Sequence, residues 1–163
     1  MTKMSNKEPL ISIIIVSHNG RFKELKKVLN YLSLQTYKKL EIIIVGNNIS
    51  EFMDTFLNSW QKEDNFNKYI NFNENIMSYF DHSKIGRFRY QKGLDLSAGE
   101  LIYFQSDDDL LSYDYFERMV NLFNINEKCM SAIGNSSGEY FWEENKLIEP
   151  VIMKSFNKIR FDN

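Results

Sequence analysis

Apolar residues cluster in short, nearly unbroken runs, and the runs are separated by stretches with helical spacing. Residues 10–17 read Leu-Ile-Ser-Ile-Ile-Ile-Val-Ser. The run is β-branched and too short for a lone helix, so it predicts a strand buried on both faces, as in parallel sheets. Phe22, Leu25, Val28, Leu29 and Leu32 then recur on one helical face, with Lys23, Glu24, Lys26 and Lys27 on the other. Residues 40–45 form a second buried run, ended by Gly46-Asn47-Asn48. Residues 49–61 are again helical, and Phe52, Phe56, Leu57 and Trp60 are expected to face inward as core. Residues 69–72 predict a short third strand, and residues 73–83 a polar loop. Residues 85–97 predict a helix closed by Ala98-Gly99 as a glycine C-cap. Residues 101–105 predict the next strand and residues 113–123 the helix after it. Residues 129–134 read as a further strand, and residues 140–142 and 147–153 as an antiparallel pair.

Alternating strands and helices predict an α/β fold, a mostly parallel sheet flanked by helices on both faces. Ligands of such sheets bind outside the carboxyl ends of the strands. Three distant segments fall at that rim: Ser17-His18-Asn19, Gly46-Asn47-Asn48 and Ser106-Asp107-Asp108-Asp109. The last is an electrostatic problem. Two unit charges about 4 Å apart repel by roughly 4 kcal/mol at an effective dielectric near 20. A divalent cation holding a diphosphate would offset this, because magnesium usually binds through one or two carboxylates plus substrate phosphates. Helix capping by one aspartate is the ordinary alternative, and both uses are compatible. His18 is either a turn residue or a flat ring for stacking on a base. Asn19-Gly20 is a turn signal first. The amides of Asn47 and Asn48 can read a base edge. Arg87, Arg89 and Lys92 either form a solvated helix face or supply a paired donor fork to a diphosphate.

Composition narrows the field. The 163 residues are 43% hydrophobic, which suits one domain with its own core. A net charge of −2 gives no support to nucleic-acid binding. Cys129 is the single cysteine, so no disulfide can form within the chain and a reducing compartment is expected. His82 and Cys129 lack partners at zinc-ligand spacing. The chain has no Walker-type loop and no G-x-G-x-x-G after a strand. No apolar run reaches the ~18 residues of a membrane span, and residues 1–9 are polar. A soluble cytoplasmic protein is expected, with peripheral contact at the inner face of a membrane compatible with its lysines and aromatics.

Four stretches together resemble the nucleotide-sugar-binding portion of family 2 glycosyltransferases, which have the GT-A fold. They are Ile11 through Val16-Ser17-His18-Asn19; Leu34-Gln35-Thr36-Tyr37 with Leu40-Glu41-Ile42-Ile43-Ile44-Val45; Gly93 with Ala98-Gly99-Glu100-Leu101-Ile102; and the acidic run, which resembles the family's Asp-x-Asp motif. The likeness covers residues 10–135, after an N-terminal extension of residues 1–9. It implies a transferase that moves a sugar from a nucleotide-diphosphate donor, UDP-linked by preference, to a hydroxyl of a carbohydrate or lipid-linked acceptor. It implies Mn2+ or Mg2+ as cofactor, inversion at the anomeric carbon, and a role in polysaccharide or glycoconjugate synthesis. By the same resemblance Ser17, His18, Asn19, Asn47, Arg87, Arg89 and Asp107 bind the nucleotide, His18 by stacking and Asn47 by hydrogen bonds to the base. Asp108 is the direct metal ligand, with Asp109 the neighbouring candidate.

Two departures stand out. Asn47 lies where the family is usually acidic, and Ser106 replaces the first acid of the motif. Residues 136–163 read as the start of an acceptor-side region that is incomplete here, and the catalytic base is expected beyond Asn163. A donor-binding module without turnover is the first alternative. A metal-dependent nucleotidyltransferase is the second, and Gly20-Arg21 is a thin version of the basic loop that it needs.

Overall fold

The computed structural model describes residues 7–72, 82–125, 131, 142–143 and 146–147, with side chains of 82–87 and 142–147 left aside. Residues 6–117 form one compact unit; residues 118–163 with the first five belong to a second.

The first unit is built on β1 (Ile11–His18), α1 (Phe22–Ser33), β2 (Leu40–Asn47), α2 (Glu51–Trp60), β3 (Asn67–Phe72), α3 (His82–Leu96) and β4 (Leu101–Gln105). Its four strands are parallel in the order β3-β2-β1-β4. The predicted α/β class and parallel sheet are therefore present. Ile13, Ile14 and Ile15 on β1 and Ile43 and Ile44 on β2 are fully buried. Successive strand residues point to opposite faces, so the sheet is covered on both faces at β1 and β2, whereas β4 leaves Ile102 and Phe104 exposed. On one face Ile14, Ile43 and Val45 form a core with Val16, Ile70, Phe72 and with Tyr90 and Leu94 of α3. Gly93 lets α3 approach closely, since a Cβ there would collide with the Ile14 side chain. Leu25, Val28, Leu29 and Leu32 of α1 and Met53, Leu57 and Trp60 of α2 complete the buried set.

After β4 comes α4 (Tyr115–Ile125), whose residues up to Glu117 belong to the first unit. There Phe116 is buried and meets Tyr103 edge-on at 5.3 Å. In the second unit β5 (Trp142–Glu143) and β6 (Lys146–Leu147) pair antiparallel, Trp142 opposite Leu147. The expected strand over residues 129–134 lies outside the described residues.

Two expectations are corrected. Phe52 does not face the core: it is 70% exposed at the start of α2, edge-on to Phe22 at 5.0 Å, while Met53 takes the buried place one residue on. A 3.6-residue period with Leu57 and Trp60 selects Met53 rather than Phe52. Gly99 does not cap α3 in a left-handed conformation; among the described residues the glycine with positive φ is Gly20. Gly99 is needed for proximity. A Cβ there would lie 2.6 Å from the backbone nitrogen of Ser12.

The reason for that proximity is a buried polar knot under the amino-terminal ends of the strands. The Glu41 carboxylate, 2% exposed, accepts from the Ser12 hydroxyl at 2.5 Å, the Ala98 backbone N–H at 2.9 Å, and the Lys68 ammonium. Ser12 Oγ in turn accepts from the Gly99 N–H at 2.8 Å. Lys68 also donates to the carbonyl of Leu96 at 2.6 Å, the last residue of α3. Three strands and the turn into β4 are thus tied to one carboxylate, which sets the height at which β4 enters the sheet.

Candidate functional site

The sheet order places β1 between β2 and β4. Connections leave β1 toward β2 on one side while β4 joins on the other, and the gap between the ends of β1 and β4 is a topological switch point. The register pairs Ile15 with Gln105. Two residues further along, Ser17 on β1 and Asp107 just past the end of β4 face one another, and the Ser17 hydroxyl donates to Asp107 Oδ2 at 2.7 Å. The convergence expected for Ser17 and Asp107 is therefore direct contact.

Asp107 is buried, with its side chain 8% exposed. Its second oxygen, Oδ1, lies 3.4 Å from Arg21 Nε, an ionic contact. The same guanidinium donates through Nη2 to Asp108 Oδ2. Asp108 Oδ1 accepts from the Ser106 hydroxyl at 2.5 Å. The charge of Asp107, helped by Asp108, raises the Arg21 guanidinium above its ordinary value against the opposing effect of burial. The Ser106 hydroxyl and Arg21 together hold the Asp108 carboxyl below the usual range, although burial acts the other way. The repulsion in the run is thus relieved in three ways. Asp107 turns to β1, Asp108 turns to Arg21 and Ser106, and the exposed Asp109 leaves the pair.

Two buried glutamines shape the loop that carries these acids. Gln105 Nε2 donates to the carbonyls of Ser106 at 2.9 Å and Asp109 at 2.8 Å, folding the run back over the strand end. Gln35 Nε2 donates to the carbonyl of Ser112 at 2.9 Å, and the Thr36 N–H donates to that of Tyr113 at 2.8 Å. The Gln35-Thr36 pair after α1 therefore pins the far end of the acidic loop.

At the ends of β1 and β2, His18 and Asn47 are cross-strand partners in register. The His18 ring is exposed, and its Nδ1 lies 2.7 Å from the Asn19 carbonyl, which places the proton on Nδ1. Asn19 is exposed in the turn before Gly20, whose φ is +92°. Asn47 is half-buried, and Asn48 closes the strand in the left-handed region at φ +48°. Arg89 sits half-buried on α3; burial lowers its pKa, and its Nε finds no hydrogen-bond partner among the described residues. No ion pair joins it to the aspartates among the described residues. The side chain of Arg87 lies outside the described ones. Arg21, which sequence reasoning weighed only as a thin basic loop, holds the place beside the aspartates.

The donor set offered by Asp107, Asp108, Ser17 and Ser106 is all oxygen, which suits a hard divalent ion. Among the described residues no three His, Cys, Asp or Glu side chains converge on one point. A metal held here would draw its remaining ligands from a bound phosphate and water, as magnesium commonly does. The residues fit such an ion on that condition. Among the described residues no helix is long and apolar enough to cross a membrane.

No family model matches the chain. It is 32% identical over 103 residues to the GalNAc(5)-diNAcBac-PP-undecaprenol beta-1,3-glucosyltransferase of Campylobacter jejuni, a stretch covering 63% of this chain and 31% of that protein. The chain thus spans about a third of that relative's length. The mannosyltransferase PcManGT of Pyrobaculum calidifontis, solved with GDP-Man and Mn2+, superposes with a TM-score of 0.58 at 15% identity, over 72% of this chain and 33% of that one. TarS of S. aureus in complex with UDP superposes with a TM-score of 0.59 at 17% identity, over 72% of this chain and 32% of that one. In fold the chain is a GT-A protein, and in sequence it is similar to glycosyltransferases.

Proposed function

We propose that this chain is the donor-binding portion of a family 2 type, metal-dependent glycosyltransferase that takes a nucleotide-diphosphate sugar, a UDP-sugar by preference. The single observation that carries this is the Ser17–Asp107–Arg21–Asp108 cluster at the switch point between β1 and β4. A C. jejuni relative named for an undecaprenol-borne acceptor supports a carbohydrate or lipid-linked acceptor, and a lipid-linked acceptor would bring the chain to the inner face of a membrane. The same relative supports a place in polysaccharide or glycoconjugate synthesis.

Each residue has a part. His18, exposed at the end of β1, offers a ring face to the base. Asn47, its neighbour in register, offers an amide to the base edge. Because this amide both donates and accepts, it meets a base that a carboxylate could only accept from. Ser17 and Arg21 hold the buried Asp107 carboxylate in place at the strand end, where we assign it to the ribose side of the nucleotide. Asp108 would hold Mn2+ or Mg2+, with Asp109 beside it. When bound, such an ion neutralises charge that develops on the leaving diphosphate. Arg89, half-buried with an Nε that has no hydrogen-bond partner among the described residues, is assigned to the diphosphate oxygens, with Arg87 on the same helix as the second candidate. In the inverting reaction a carboxylate base takes the proton of the acceptor hydroxyl as it attacks the anomeric carbon; that base is not assigned to any described residue.

Calorimetry with UDP and manganese tests the reading. Wild type is expected to bind, and Asp108→Ala to lose at least about tenfold in affinity, the cost of one charge-assisted contact. Equal binding by both removes the metal role. Asn47 and Ser106, which stand where acids are usual, favour a second reading, a donor-binding module without turnover. Sugar transfer to an added acceptor by this polypeptide would exclude it.

A further inference from the structure

We infer that Arg21 is a resident cation that divalent metal must displace from Asp108, so that metal uptake at this rim is an exchange of one cation for another. The inference rests on the donor-binding reading above and adds how Asp107 and Asp108 are held by the chain's own residues.

Asp107 is almost wholly buried, and a buried carboxylate needs a counter-charge or hydrogen bonds on both oxygens. Ser17 serves Oδ2 and Arg21 faces Oδ1. Arg21 reaches on to Asp108 Oδ2, while Ser106 occupies Asp108 Oδ1. Both Asp108 oxygens are thus engaged. A divalent ion seated on Asp108 Oδ2 would share that oxygen with a guanidinium, and like charges in contact repel strongly where solvent is partly excluded. One of the two has to leave. The outer end of the arginine is free to be displaced, because its side chain is 34% exposed while its backbone is anchored to His18 and Leu25. Its contact to buried Asp107 runs through Nε and that to Asp108 through Nη2, so the outer fork can release while the inner contact persists. Arginine cannot shed its proton to relieve the conflict, so a metal seated on Asp108 Oδ2 requires the guanidinium fork to move off that oxygen. The released fork is then a free paired donor at the rim where a diphosphate would lie.

Manganese binding measured by electron paramagnetic resonance, without nucleotide, provides the test. Arg21→Gln is expected to bind Mn2+ roughly tenfold more tightly than wild type, because a competing unit charge has gone. Arg21→Lys, which keeps the charge but cannot bridge both aspartates, should fall between. Arg21→Gln that binds no better than wild type overturns the inference, including the case in which neither binds. Nitrogen-15 spectra of the wild type give a readout that does not depend on a variant's folding. The Arg21 side-chain signal should shift on adding Mg2+, and a signal unmoved at saturation overturns the exchange. The two readings fail separately. Tight Mn2+ binding by Arg21→Gln with no UDP binding by either protein would sink the donor reading and keep the exchange. UDP binding with unchanged Mn2+ affinity would do the reverse.

Discussion

Replacing Lys68 by methionine should destabilise the fold far more than a half-exposed lysine ordinarily would. The Lys68 ammonium is 33% exposed, but its partner Glu41 is 2% exposed. Breaking a buried ion pair by removing one partner costs about 3–5 kcal/mol, because the remaining charge is left uncompensated. Two features reduce that figure here. Solvent reaches the lysine, and the Ser12 hydroxyl and Ala98 N–H still serve the carboxylate. The loss of the bond from Lys68 to the Leu96 carbonyl acts the other way. About 2–3 kcal/mol is expected for Lys68→Met, read from urea unfolding at neutral pH. The double variant Lys68→Met with Glu41→Gln should recover at least about 1 kcal/mol, since a neutral amide needs no counter-charge. The pH dependence carries a sign. Burial alone would raise the Glu41 pKa, but Lys68, Ser12 and Ala98 outweigh it and leave the group below its ordinary 4.5. A lowered folded-state pKa stabilises above the unfolded value, and that stabilisation is lost as pH falls from 4.5 through the folded value. The Lys68→Met deficit should therefore shrink on acidification through that window. A cost under about 0.5 kcal/mol, or strictly additive single and double variants, would refute the account of Glu41 as a buried charge held by Lys68.

Three other outcomes are expected. Ser17→Ala should leave Asp107 Oδ2 without its donor, cost about 1–3 kcal/mol in thermal or urea unfolding, and weaken UDP binding in calorimetry; wild-type values on both would sever Ser17 from the site. Gly93→Ala drives a methyl into Ile14 and should cost about 1–3 kcal/mol by overpacking, measurable as a lowered urea midpoint, whereas Gly20→Ala meets open space and loses stability only through its positive φ. Tyr37, which donates to the Pro9 carbonyl at 2.5 Å, is pushed up to about 12 by burial and the charges of Glu8 and Glu100, so ultraviolet titration should show its phenolate appearing only near that pH.

Much of the frame is legible in the chain because β1 and β2 are buried on both faces and so have to be apolar throughout, and β4 is apolar even where Ile102 and Phe104 are exposed. The runs ending at Ser17, Val45 and Gln105 announce themselves, and the rule that ligands gather at strand ends then brings His18, Asn47 and Asp107 together. Phe52 misleads because an amphipathic helix leaves its flanking apolar positions ambiguous by one residue, and Met53 is the better fit to the buried phase. Gly99 misleads because a glycine after a helix serves equally as cap or as clearance, and only the position of Ser12 decides. Arg21 is nearly invisible, since one basic residue in a turn resembles any other until the strand register sets Ser17 opposite Asp107. Gln35 and Gln105 carry neither charge nor periodicity. Gln35 falls in the Leu34-Gln35-Thr36-Tyr37 stretch of the family resemblance, but nothing there announces that it holds the acidic loop. For Gln105, a glutamine closing a strand just before a run of acids is the cue that could have drawn notice.

The two glutamines also bear on when the rim can exist. Gln35 is separated from Ser112 by 77 residues and Ser17 from Asp107 by 90. No local segment can make either bond, and long-range closures form slowly because chain entropy is lost before contacts compensate it. The bond from Ser17 to Asp107 therefore requires β1 and β4 to be in register, whereas the bonds from Gln105 to residues one and four positions on are local. Once these form, the acidic loop is anchored at Gln105 on one side and Ser112 on the other, with few residues between. A ligand arriving at this rim meets a loop whose ordering was completed during folding, and binding energy is not spent on arranging it.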